Sequence, residues 1–252
     1  MPTDLADLSS VFRSVQQVRN LTKSIDIIFA NAGRTKSQTP LSPDGLELVF
    51  ATNYVGHYAL ITRLLPVLLE TGSKDGADVR VVLTSSSMAW NVSTFDFADF
   101  QTPFNKGKGR ETDPYDRSKL ACLLFGMKLA DQIRDRGGLN IHVNIADPGI
   151  IFGTQIHLQL DITHTLPVQI YIAILDWWYG LSIAEGALTS LFLGTSPVIA
   201  EKHVNGKFYR PFGYELPRNK YPTLASMQLA EKLWDWTEDF VSRKEAEIRL
   251  QS

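Results

Sequence analysis

The chain has 252 residues, 44% hydrophobic and 21% charged, with a formal net charge of -2, which is enough apolar material for one sizeable core in a single domain. No segment concentrates Lys and Arg, so a phosphate-neutralising surface for nucleic acid is not indicated. The single cysteine, Cys122, excludes an internal disulfide and lies in an apolar stretch, which fits core packing or a reducing compartment.

From Leu8 the apolar residues Leu8, Val11, Phe12, Val15, Val18 and Leu21 recur at helical spacing, with Asp7 or Ser9 available as the cap. SIDIIFANAG follows, a nearly continuous apolar strand ending in a turn at Asn31-Ala32-Gly33. That pattern belongs to a parallel strand covered on both faces. A second helix is predicted over about Leu46 to Glu70, and VRVVLTSSS then repeats the theme of a β-branched strand running into hydroxyl residues. The polar stretch from Met88 to Asp113 reads as loop, and a helix from near Pro114 carries Leu120, Leu123, Leu124, Met127 and Ala130 as far as Gly137-Gly138. NIHVNIADPG supplies a third strand.

LPVQIYIAILDWWYGLSIAEGALTSLFLG is interrupted by Asp176 and Glu185, so it reads as two buried or pocket-lining helices rather than a membrane span. Trp177 and Trp178 leave contact with a membrane surface open. GKFYR is a short strand and a final helix is predicted around Leu229 to Val241. Strand, helix, strand, helix, strand implies an α/β fold, a doubly wound parallel sheet with right-handed crossovers. No repeat or linker divides it, so residues 1–252 are predicted to form one domain.

In open α/β sheets ligands sit beyond the carboxyl ends of the strands, which here are the turns ANAG, TSSS and DPG. The helix after the second strand opens PYDRSK, placing Tyr115 and Lys119 on one face. An ammonium beside a phenol favours the phenolate and makes the pair a general acid/base for a hydroxyl or carbonyl. A hydroxyl at Ser86 would orient the same oxygen. Alone, each feature has a plainer reading: Tyr and Lys as a surface pair, the serines as turn or cap residues. Their conjunction, in this order and context, carries the inference.

With these motifs the chain resembles the short-chain dehydrogenases/reductases along nearly its whole length. ANAG resembles that family's NNAG turn, TNYVGHYALITRLLPVL the helix bearing its active-site Asn, LTSSS the strand carrying its Ser, and YDRSK its YxxxK. The Ser86 to Tyr115 spacing and AEKLWDWTEDF resemble the retinol-dehydrogenase-like branch and especially its fungal members. The resemblance implies a Rossmann-like fold, a nicotinamide cofactor and hydride exchange between an alcohol and a carbonyl, with a place in secondary metabolism.

It also implies roles. Tyr115 would be the acid/base, Lys119 would lower its pKa and bind the nicotinamide ribose, and Ser86 would hold the substrate oxygen, with Ser85 and Ser87 as rivals. Asn53 would anchor a water relay behind Lys119, against the plainer alternative of a helix-to-loop hydrogen bond. Asn31 would lie near the adenosine ribose, Asp4 near the adenine at the end of a strand, and Arg63 near the cofactor. Ile151 would meet the carboxamide through its backbone, and Thr154 would cover the phosphates, although PGIIFGT has one residue more than the usual family spacing. The substrate wall is predicted within 150–200, where Phe152, Ile156, Leu158, Trp177, Trp178 and Tyr179 favour an apolar small molecule. NADP is the implied cofactor, with NAD open, as is a homodimer; the location implied is cytoplasmic.

A serine hydrolase is disfavoured because TSSSM lacks the glycines of a nucleophile elbow. No metal is expected, since His57, His142, His157, His164 and His203 lack the spacing of a familiar site. The rival from another class is a non-catalytic remnant. The family holds the pyrophosphate on a glycine-rich turn, and no glycine precedes Gly33. The expectation is that about 50 to 60 residues of a β-α-β-α unit are missing, leaving the first strand with an open edge.

Overall fold

The computed structural model describes residues 2–35, 41–103, 113–137, 140–151, 180–217 and 226–251. Helix α1 (Leu8–Leu21) starts at Asp7, whose carboxylate accepts from Ser9 N at 2.9 Å, so Asp7 is the cap. Strand β1 (Ile27–Ala30) leads to the first turn. The predicted second helix has three parts: an α-turn over Leu48–Phe50, a π-helical turn over Ala51–Val55, and helix α2 (Gly56–Gly72). Glu47 caps the first part by accepting from Val49 N and Phe50 N.

Strand β2 (Val79–Thr84) is followed by 3-10 turns at Ser87–Asn91 and Phe97–Gln101. Helix α3 (Pro114–Arg134) begins with Pro114 at its first position, and Asp113 caps it by accepting from Tyr115 N at 2.8 Å. Then come β3 (Ile141–Ala146), α4 (Ile183–Thr195), α5 (Pro197–Glu201), β4 (Phe208–Arg210), β5 (Tyr214–Glu215) and α6 (Met227–Gln251).

The sheet order is β1-β2-β3-β4-β5, parallel throughout β1 to β4, with β5 antiparallel to β4. Every residue of β2 and β3 is buried, as an apolar parallel strand between two helical layers requires. The same prediction fails for β1, where Ile27 and Phe29 are 40% and 43% exposed. Among the described residues β1 is an edge strand, and α4 shields it in part. A Cβ on Gly194 would lie 2.4 Å from Phe29 Cζ, so glycine lets the helix approach that ring.

On the opposite face α6 closes the core. Trp234 lies 5.1 Å from Tyr58 and 5.8 Å from Phe125, while Trp236 lies 5.0 Å from Phe100, ring to ring. This helix continues ten residues past the predicted end at Val241. Its extension carries Glu245, which Arg63 on α2 engages at 2.9 Å. The α1 end is also closely fitted: a Cβ on Gly56 would lie 2.1 Å from Leu5 O.

Candidate active site

A cavity of about 440 Å³ opens at the carboxyl ends of the parallel strands. Asn31 and Phe29 of the first strand and its turn, Thr84 to Ser86 of the second, and Pro148, Gly149 and Ile151 after the third line it. Tyr115 and Lys119 of α3 complete the polar side, and Ile183, Ala187 and Leu191 of α4 form an apolar wall. The structure therefore brings together Asn31, Ser86, Tyr115, Lys119 and Ile151.

Helical spacing puts the Lys119 ammonium over the Tyr115 ring, 5.4 Å from its centroid. Lys119 is 3% exposed and donates to Thr84 O at 3.1 Å. An ammonium has three protons, so among the described residues this buried cation retains donors for a hydroxylated ligand. Thr84 in turn donates through its hydroxyl to Asn31 Oδ1 at 3.0 Å, which ties the first turn to the second strand.

The three serines separate by direction. Ser85 is buried and its hydroxyl donates to Lys119 O at 2.7 Å, so it braces α3. Ser87 N–H is bound to Asp147. Ser86 is the partly exposed serine that lines the cavity, and its oxygen accepts from Met88 N at 3.2 Å.

Asn53 makes helix-to-loop hydrogen bonds. Its side chain accepts from Arg34 N at 2.8 Å and donates to Arg34 O at 2.8 Å and to Ser118 Oγ at 2.9 Å. It fastens the first turn to α3 between Tyr115 and Lys119. The π-helical turn around Asn53 displaces its carbonyl from the regular ladder, and Cys122 Sγ–H donates to that oxygen at 3.1 Å. Burial pushes the Cys122 thiol up to about 11, so it stays protonated as that donor.

Two side chains that the sequence reading gave no role in the site hold the same loops. His57 Nε2–H donates to Ala32 O at 2.8 Å, and burial lowers its pKa to about 4, leaving the ring neutral. Asp147 accepts from Ser87 N at 3.1 Å and from Gly149 N at 2.9 Å. Burial raises its carboxyl above the usual range, opposed by those two bonds and by the cations Arg210 and Lys119. An acid placed directly before Pro-Gly at the end of a buried strand was the available sequence signal.

Arg63 and Asp4 do not line this cavity. Arg63 is engaged on α6: it pairs with Glu238 and Glu245 and donates to Ser242 Oγ at 3.2 Å, so its charge is directed away from the cavity. Asp4 ends no strand. It is exposed and turns the chain into α1 by accepting from Ala6 N at 2.9 Å. Thr154 and the wall residues Phe152, Ile156, Leu158, Trp177, Trp178 and Tyr179 lie outside the described residues. No group of three or more His, Cys, Asp or Glu that could hold a metal occurs among the described residues. No described helix is long and apolar enough to cross a membrane.

Residues 1–97 match the short chain dehydrogenase family. A short-chain dehydrogenase/reductase of Armillaria gallica is 31% identical over 239 residues, covering 94% of this chain and 72% of that protein. The chain belongs to the short-chain dehydrogenase/reductase family. Human retinol dehydrogenase 14 is also 31% identical, over 242 residues, and the chain spans 65% of that relative's length. Among solved structures, an uncharacterised protein from Mycobacterium paratuberculosis superposes with a TM-score of 0.65 at 25% identity, over 96% of this chain and 75% of that one. L-sorbose reductase from Gluconobacter frateurii, complexed with NADPH and L-sorbose, superposes with a TM-score of 0.57 at 19% identity, over 84% of this chain and 74% of that one, and shows the fold.

The cavity lies beyond the carboxyl ends of the strands, where ligands of open α/β sheets sit. The buried Lys119 donors suit a ribose. Gly149, at φ +79°, keeps the turn before Ile151 close to Pro211, where a Cβ would lie 2.7 Å from Pro211 Cγ. Gly186 leaves room for Ile151 against α4, since a Cβ there would lie 2.1 Å from Ile151 Cδ1.

Proposed function

We propose that this protein is an NAD(P)-dependent oxidoreductase that interconverts an alcohol and a carbonyl on an apolar small molecule. The observation that carries the reading is the buried Lys119 ammonium over the Tyr115 ring in the same cavity as the Ser86 hydroxyl. A bound nicotinamide supplies or accepts the hydride.

The chain's own residues align the substrate and move the proton. In reduction, Tyr115 gives its phenolic proton to the carbonyl oxygen as that oxygen gains negative charge; in oxidation, the phenolate takes the alcohol proton. Ser86 donates to the same oxygen and holds it against Tyr115. Lys119 stabilises negative charge on the phenol oxygen and anchors the ribose. Ile183, Ala187 and Leu191 present the apolar surface that favours a hydrocarbon body and keeps water from the reacting carbon. NADP(H) is the proposed form of the cofactor.

The test is oxidation of NADPH or NADH, at millimolar concentration, by a panel of apolar aldehydes and ketones. Turnover by the wild type that falls about 10²- to 10⁴-fold in Tyr115→Phe supports the reading. Turnover that survives unchanged in Tyr115→Phe removes the acid/base assignment, and no turnover with any carbonyl favours the non-catalytic alternative.

A further inference from the structure

The β2–β3 ladder ends one residue short of Ser86, with Ser85 N donating to Ala146 O at 2.8 Å. Beyond it, the turn bearing Ser86 and the turn leading to Ile151 would diverge with nothing in the sheet to fix their separation. Asp147 lies in that gap. It is 2% exposed, and its backbone N–H is held by Tyr209 O at 2.7 Å, so the side chain has a firm base. One carboxylate oxygen accepts from Ser87 N at 3.1 Å, across 60 positions of sequence, and the other from Gly149 N at 2.9 Å.

We propose that Asp147 is a positioning residue for the reaction: its carboxylate clamps the turn that presents Ser86 to the turn that places Gly149 and Ile151. This rests on the oxidoreductase reading above. Ser87 N opens the 3-10 turn Ser87–Asn91, where no intrahelical acceptor exists for it. Gly149 N follows a proline in a turn with positive φ. Two donors facing one side chain require an acceptor on each of its terminal atoms. A carboxylate provides both, whereas an amide provides one and turns its NH2 towards the other donor. Burial raises the carboxyl's pKa, and the two backbone bonds with the Arg210 and Lys119 cations oppose that rise in favour of the ionised form that the clamp needs. Ser86 is thereby fixed from the residue after it as well as from the strand before it, which sets the direction of its hydroxyl in the cavity.

The experiment has two arms. Amide hydrogen exchange is followed at Ser87 and Gly149 in the wild type, Asp147→Asn and Asp147→Ala, without any substrate. Exchange should quicken about tenfold or more at one of the two amides in the Asn variant and at both in the Ala variant, with β2 and β3 still protected. In the kinetic arm, Asp147→Asn should lower kcat about 10- to 100-fold. Combined with Ser86→Ala, it should cost no more than about twofold beyond Ser86→Ala alone, because the clamp acts through that serine.

Unchanged exchange at both amides overturns the proposal, as do kcat losses from the two substitutions that simply multiply. If Asp147→Ala does not fold, the Asn variant supplies both arms. If the wild type turns over no carbonyl, the oxidoreductase reading fails separately and the exchange arm alone decides the clamp.

Discussion

Lys119 Nζ lies 5.4 Å from the centre of the Tyr115 ring and donates to Thr84 O at 3.1 Å, so one buried cation joins the end of β2 to the phenol on α3. Burying a cation costs stability, whereas an apolar chain of similar length suits the same place. Lys119→Met should therefore lower kcat/KM about 10²- to 10⁴-fold while denaturant stability holds or rises. A parallel loss of stability and activity would assign Lys119 to the core instead.

Asn53 holds Arg34 at both its N–H and its C=O and reaches Ser118 as well. Asn53→Ala leaves those partly buried groups without the amide and should destabilise the fold by about 2 to 4 kcal/mol. Asn53→Asp keeps an acceptor for Arg34 N but no donor for Ser118, and should fall between. Urea midpoints of the three proteins check the order.

His57 gives a pH dependence of definite sign. Burial lowers its pKa from 6.5 to about 4 in the folded protein. The unfolded chain therefore binds the extra proton first, and the stabilisation, complete above pH 6.5, is lost as pH falls towards 4. His57→Gln can keep a donor to Ala32 O without the titration. The stability of the wild type relative to this variant should fall by up to about 3 kcal/mol between pH 7 and pH 4. Carboxylates such as Glu47 titrate in both proteins and cancel. A difference that stays flat with pH would contradict the buried neutral imidazole.

Arg63 provides a test that separates the structure from the family pattern. Its guanidinium holds Glu238 and Glu245 of α6 and is 19% exposed. Arg63→Met should cost about 1 to 3 kcal/mol of stability, partly by removing the Glu238 pair while Glu245 keeps Arg249, and should leave the cofactor KM unchanged. A large rise in that KM with stability intact would return Arg63 to the cofactor.

Much of the fold was legible because its signals are local. The cap Asp7, the helix start near Pro114, the β-branched runs of β2 and β3, and the Tyr115 to Lys119 spacing are each contained within a few residues. What was not legible depends on partners far along the chain. Arg63 meets carboxylates 175 and 182 positions away. The π-helical turn at Ala51–Val55 does not alter the apolar period, and Asn53 within it bonds a loop 19 positions earlier. Asp147 reads as a turn residue before Pro-Gly until the fold brings Ser87 to it. The apolar run alone hid the exposure of Ile27 and Phe29, because such a strand looks the same at an edge and at the centre of a sheet; only the lack of a glycine before Gly33 led to the expectation of an open edge.

The most direct measurement is transfer of label from NADPH carrying deuterium at the transferable C4 position to a reduced product, with mass spectrometry of the alcohol. The proposed chemistry predicts one deuterium on the former carbonyl carbon, with product formation falling about 10²- to 10⁴-fold in Tyr115→Phe. Alcohol formed without deuterium at that carbon, or formed equally fast by Tyr115→Phe, would contradict it.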